Sequence, residues 1–211
     1  MLSDYLTVKE TGHNEIIIDK SRFIAHIARA TTEEEAAAFI QAIKKEHNSA
    51  THNCSAYLIG ETDNIQKAND DGEPSGTAGV PMLEVIKKRQ LKDTVAVVTR
   101  YFGGIKLGAG GLIRAYGKSV SEGLNSIGVV NRQLHQIVHI LVDYTLIGKM
   151  ENELRNSDYP IKEMNYTEKV EIQMYVPIND TETFREWITE LSNAQSEILF
   201  GAKDYLEIDV K

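Results

Sequence analysis

His52 and Cys54 lie two residues apart, the spacing that puts two side chains on one face of a strand, and a thiol beside an imidazole is raw material for nucleophilic catalysis. No third orienting group or oxyanion site accompanies them, so Cys54 is expected to pack as a small buried apolar residue. Asp70, Asp71 and Glu73 gather hard oxygen ligands suited to a divalent cation, but they lack the alternating spacing of a calcium loop. A solvated acidic turn is the expectation there, with no metal and no cofactor. Further along, Gly103, Gly104, Gly108, Gly110 and Gly111 stand between an apolar run and a helical pattern. Strand, glycine loop and helix in that order can turn backbone N–H groups and a helix N-terminus toward an anion, or the glycines can simply supply the positive φ of a tight strand-to-helix connection.

Charge gathers around the same glycines. Between Lys87 and Lys118 there are eight basic residues (Lys87, Lys88, Arg89, Lys92, Arg100, Lys106, Arg114, Lys118) and one acid, Asp93, in a chain of formal net charge −8. Positive charge concentrated in an acidic protein points to a local attraction for phosphate or an acidic partner. Lys87 to Lys92 read as a solvated helix face. Arg114 and Lys118, four apart on one helix, repel each other by roughly 0.2–0.5 kcal/mol unless an anion lies between them. The run from Gly111 to Ser119 is not a P-loop: five residues separate its glycines, and its Lys118 falls well inside a helix instead of at its start. A dinucleotide fingerprint starting at Gly108 fails because position 113 is Ile113.

The elements that must position these residues follow from periodicity. Strands are expected over 15–19 and 22–30, joined as a hairpin, then a helix from Thr32 with Glu35 completing a capping-box pattern and Ala36, Phe39, Ile40 and Ile43 as its apolar face. A strand over 52–59 leads into a polar loop, 60–74. Ser75 or Thr77 is expected to cap a short helix through Met82 and Ile86, and Thr94 to Phe102 forms a strand covered on both faces. After the glycines, Leu112, Ala115, Tyr116, Val120, Leu124 and Ile127 keep helical spacing up to a stop at Gly128. Beyond Val130 the order restarts as strand 134–142, a helix after Asp143, strands 161–164 and 170–176, a helix from Asn179 or Asp180, and a strand over 205–210. That is the βαββαβ order of a ferredoxin-like domain. The chain from Asn131 on carries eight basic and fifteen acidic residues. Pattern and charge together predict two domains, 1–130 and 131–211.

Hydrophobic content of 42% and charged content of 26% are ordinary for a globular protein. The first residues, MLSDYLTVKE, contain no apolar run of signal-peptide type, no stretch approaches the length of a membrane helix, and a cytoplasmic protein without membrane association is expected. A lone cysteine excludes an intrachain disulfide and a cysteine-based zinc cluster.

The segments His52–Tyr57, Asp70–Gly79 with Pro81, Thr99–Gly104 and Lys106–Tyr116 together resemble the IMPACT family in its bacterial form. The resemblance runs over roughly 15–128, and the βαββαβ tail is similar to the last domain of elongation factor G. It implies an α+β protein whose N-terminal domain is like the second domain of a small-subunit ribosomal protein and the fourth domain of elongation factor G. It also implies a part in translation, since eukaryotic relatives restrain a starvation-activated translation-factor kinase by binding its scaffold protein. The resulting expectation is a non-enzymatic translation regulator or accessory factor, its partner an RNA, the ribosome or a translation-associated protein. Arg100, Lys106, Arg114 and Lys118 would contact phosphates, with Gly103, Gly104, Gly108, Gly110 and Gly111 allowing close approach. An alternative is an enzyme acting on a phosphorylated or carboxylate small molecule, with His52, Asp70, Asp71 and Glu73 facing the basic residues.

Overall fold

The computed structural model describes residues 1–210. They cluster into two compact units, one of residues 4–131 with Leu2 and the C-terminal residues from Ile208, the other of residues 132–207 with Met1 and Ser3. Both are mixed α+β.

The first unit contains strands β1 (Asp4–Val8), β2 (Gly12–Ile18) and β3 (Ser21–Arg29), helix α1 (Glu33–Glu46), strands β4 (His52–Ile59) and β5 (Ile65–Asn69), helix α2 (Gly79–Lys88), strand β6 (Thr94–Tyr101) and helix α3 (Gly108–Ile127). Its sheet runs β2-β3-β6-β4-β5, with antiparallel neighbours throughout. The β2–β3 hairpin turns through Asp19 and Lys20, both at positive φ (45° and 63°), as a two-residue turn matched to strand twist requires. In α1, the Thr32 hydroxyl accepts from the Glu35 N–H at 3.2 Å, as the capping pattern predicts, while the Glu35 carboxylate reaches the Thr31 N–H.

Central strand β6 is buried on both faces. One face, with Ala96 and Val98 beside Phe23, Ala25, Ile27, Cys54, Ala56 and Leu58, is covered by α2 and α3 through Met82, Ile86, Leu112, Tyr116, Val120 and Leu124. Each large apolar side chain sealed there contributes about 1.5–3 kcal/mol. The opposite face, with Val95, Ala28, Tyr57 and Ile59, is covered by Ala36, Phe39 and Ile40 of α1.

The second unit holds β7 (Val129–Val142), which begins in the first, α4 (Tyr144–Arg155), β8 (Ile161–Tyr166), β9 (Val170–Pro177), α5 (Thr181–Leu191) and β10 (Glu197–Asp209). With β9 between β7 and β8, and β10 also on β7, the strand arrangement is the ferredoxin-like one. Alternating β9 residues Val170, Ile172, Met174 and Val176 meet Met150 and Leu154 of α4 and Phe184 and Ile188 of α5 in its core.

Four elements depart from the sequence expectation. Strand β5 occupies part of what reads as polar loop; it is an edge strand whose residues are almost all exposed, so no apolar alternation marks it. Strand β1 also goes unread, and β10 starts at Glu197 instead of Tyr205. Helix α3 starts at Gly108, so Gly108, Gly110 and Gly111 form its first turn and are not loop. Its end at Gly128, φ +81°, is as expected.

Candidate functional site

The antiparallel register sets Phe23, Arg100 and His52 side by side across β3, β6 and β4. Arg100 lies on the face covered by α3, at the end of β6 where the glycines begin. Onto this row folds the turn that follows β5, and its three acids have three different tasks. The Asp70 carboxylate accepts from the N–H groups of Gly76, Ala78 and Gly79 at 2.8–3.0 Å, so it caps α2. Burial works to raise its pKa, but those three donors outweigh burial and hold it below the usual carboxylate range. Asp71 accepts from Lys44 at 2.6 Å and from the Asn53 N–H at 2.7 Å; burial again opposes, and these donors again lower its pKa. Glu73 is 8% exposed and bonds to Arg100 at 2.6 Å and to the Tyr116 hydroxyl at 2.8 Å, with His52 Nε2 3.8 Å away.

These positions correct the expectation of a solvated acidic turn, because the acids of this turn bind the backbone, the half-buried Lys44 and the buried Arg100. They also correct the capping assignment: neither Ser75 nor Thr77 caps α2, whose N-cap is Ala78, and Asp70 supplies the carboxylate from outside the helix. Among the described residues, no three His, Cys, Asp or Glu side chains are placed to share a metal ion. Cys54 is buried, its thiol donating to the Asp70 carbonyl oxygen at 3.0 Å. Burial pushes that thiol up to about 12, which keeps it protonated and unreactive at neutral pH. His52 Nδ1 pairs with the Asp71 carbonyl oxygen at 2.8 Å, so it is the protonated ring nitrogen and helps fix the turn.

Arg100 is not the exposed phosphate contact that its place in a basic run suggests. It is 5% exposed and tied to Glu73, sandwiched between the Phe23 and Phe102 rings at 5.4 and 5.5 Å. Its buried Nε–H has no acceptor. Of the other basic residues, Lys87 pairs with Glu84, Lys92 with Asp63, and Arg89 bonds to Ser121 and Asn125. Lys106, Arg114 and Lys118 are exposed and have no carboxylate partner among the described residues.

The glycines divide by role. A Cβ on Gly103 would fall on the backbone of Lys20 in the β2–β3 turn, so this glycine lets the chain pass the hairpin and is required by the fold, against the expectation that it serves binding. Gly104 and Gly108 take φ of +88° and +69°, and a Cβ on Gly111 would press on Leu107 at 2.9 Å. Gly110 has neither constraint; the only atom near its missing side chain is the Arg114 guanidinium nitrogen, 3.6 Å away. Arg114 therefore lies back along α3 toward the N-terminus. That N-terminus has Leu107 as N-cap, no side-chain capping bond and no acid in its first turn. A cavity of about 310 Å³ opens beside it, lined by Glu73, Arg100, Phe102, Lys106, Gly108 and Leu112 among others. It joins three stretches far apart in sequence: acidic turn, end of β6 and start of α3.

Sequence and fold together define a known class. Residues 19–124 match the Impact N-terminal domain family, and residues 140–195 match a domain of unknown function, DUF1949. The chain is 68% identical to a protein of Bacillus subtilis described as "IMPACT family member YvyE" over 207 residues, covering 98% of this chain and 95% of that one. It is 35% identical to an IMPACT family member of Haemophilus influenzae, covering 92% and 95% of the two chains. A solved structure described as that of a hypothetical protein superposes with a TM-score of 0.61 at 30% identity, covering 96% of this chain and 99% of that one. A Dictyostelium discoideum protein described as "Protein IMPACT homolog" matches at 40% identity over 95 residues, only 26% of its own length. The chain belongs to the IMPACT family.

Proposed function

We infer that the first unit binds RNA, free or in the ribosome, and that the protein acts through this contact as a non-enzymatic regulator or accessory factor of translation. One observation carries the reading. The uncapped N-terminus of α3 and three exposed, unpaired cations, Lys106 just before the helix and Arg114 and Lys118 along its outer face, belong to one segment of an otherwise acidic protein. A helix N-terminus carries roughly half a positive charge, and its first four N–H groups have no partner within the helix. A polyphosphate backbone supplies acceptors for these donors and relieves the repulsion between Arg114 and Lys118. The competing enzymatic reading needs carboxylates free to act, whereas Asp70 and Asp71 are committed to holding the turn and Glu73 to a buried ion pair.

The test is charge reversal at positions too exposed to affect folding. Arg114→Glu with Lys118→Glu is expected to abolish co-sedimentation with ribosomes or RNA. Each single reversal is expected to lower the salt-dependence slope by about 1. Unchanged co-sedimentation of the double variant removes the reading.

A further inference from the structure

Phe102 stands at the mouth of the α3 cavity with 47% of its surface exposed. The Arg100 guanidinium lies 5.5 Å from its ring centroid. Its backbone is fixed on either side: the Phe102 N–H donates to the Thr51 hydroxyl at 3.2 Å, and the Gly103 N–H to the Ser21 hydroxyl at 3.1 Å. An exposed aromatic ring held this firmly and backed by a cation is a preformed stacking platform.

Next to it the cavity has two features that call for an anion. The first turn of α3 is uncapped, and the buried Nε–H of Arg100, on a side chain that lines the cavity, has no acceptor. Lys106 stands at the rim. On the exposed face of α3, turned away from the cavity-lining Gly108, Ala109 and Leu112, the residues Gly110, Arg114 and Lys118 form a row with i, i+4 spacing, bare at its first position and cationic at the next two, about one helical turn (5.4 Å) apart, and the Arg114 guanidinium folds back toward the helix N-terminus. One phosphate would occupy the cavity; the row provides for more than one. A rigid A-form duplex presents its bases edge-on inside the helix and offers no face to stack, whereas a single strand offers both a face and a flexible backbone.

We propose that this surface, on the RNA-binding reading above, is specific for single-stranded RNA: one base stacks on Phe102, its phosphate enters the cavity between the α3 N-terminus and Arg100, and the following backbone passes round that end of the helix to the outer face carrying Gly110, Arg114 and Lys118. Stacking supplies base contact without choosing among the bases.

The experiment measures binding of the full chain to three labelled polyanions: a short unstructured RNA oligonucleotide, a duplex of equal length, and inorganic polyphosphate. Wild type is expected to prefer the single strand to the duplex. Phe102→Leu should weaken single-strand binding about tenfold and leave polyphosphate binding unchanged, while Phe102→Trp should retain single-strand binding. Thermal melting confirms that each variant is folded. Duplex binding as tight as single-strand binding, or a Phe102→Leu variant that loses polyphosphate and single strand equally, overturns the stacking proposal and leaves the RNA reading standing. No binding to either RNA overturns both.

Discussion

Replacing Glu73 by Gln changes little in shape and keeps a carbonyl oxygen for the Tyr116 hydroxyl, but it removes the counter-charge of Arg100. Both partners are more than nine-tenths buried and meet at 2.6 Å, so neither salt nor water screens the pair effectively. Breaking a buried ion pair from one side leaves an uncompensated charge and costs about 3–5 kcal/mol. For a unit of this size, with roughly 3 °C lost per kcal/mol, melting should drop by about 10–15 °C. Arg100→Met should cost a similar amount by stranding the carboxylate. The double variant, Glu73→Gln with Arg100→Met, leaves no charge buried and keeps the Tyr116 bond, so it should be more stable than either single variant. Urea denaturation of all four proteins measures the cycle. A further consequence separates this account from simple packing loss: in Glu73→Gln the cavity gains a positive charge, so polyphosphate should bind more tightly and recover part of the lost stability. The reasoning is refuted if the single variants cost less than about 1 kcal/mol and the double variant costs their sum.

Two further outcomes are expected. Gly103→Ala should destabilise strongly, by more than about 3 kcal/mol, because its Cβ meets the Lys20 backbone, whereas Gly110→Ala should gain about 0.4–1 kcal/mol while weakening polyanion binding; chemical denaturation and a binding titration of each check both halves. On the α1 face of the sheet, His26 is 7% exposed, with its ring centroid 4.9 Å from that of His47 and 5.8 Å from that of His13, and its Nε2 has no partner. Burial, then the neighbouring His47 and His13, lower its pKa from 6.5 to about 4. The unfolded chain therefore takes up a proton between about pH 6.5 and pH 4 that the native state refuses, and stability falls as pH falls through that window, by about 2 kcal/mol between pH 7.5 and pH 5. Urea midpoints at the two pH values, compared with those of His26→Gln, measure this; an equal acid loss in the variant refutes it.

Most of the first unit's framework is legible in the sequence because its signals are local. The 52–59 strand, the Thr32 cap and the Gly128 stop each depend on residues within a few positions of one another, and the structure has all three. The apolar run Val95–Val98 announces a strand sealed on both faces, and β6 is such a strand. Strand β5 fails the same test because an edge strand facing solvent needs no apolar alternation. At the site, the acidic turn, the end of the strand and the glycines are conspicuous singly, but their meeting is tertiary. Counting eight basic residues cannot show that Arg100 is neutralised by an acid 27 positions earlier, or that Asp70 caps a helix that opens nine positions later. Nor can a row of glycines reveal which one is pressed by a distant turn: Gly103 owes its identity to Lys20, 83 residues away.

The pleat of β6 has a consequence for how this site can change. Arg100 and Tyr101 are neighbours in sequence yet face opposite sides of the sheet, the first toward Glu73 and the α3 cavity, the second toward His47 and Arg22. Which of them reaches the cavity is a matter of odd and even numbering along one strand. Deleting or inserting a single residue in β6 would exchange them, placing a phenol where the buried guanidinium belongs and a cation among the histidines. The two faces of the first unit are thus coupled by parity, and substitutions can tune either of them, but a change of chain length inside this strand rewrites both at once.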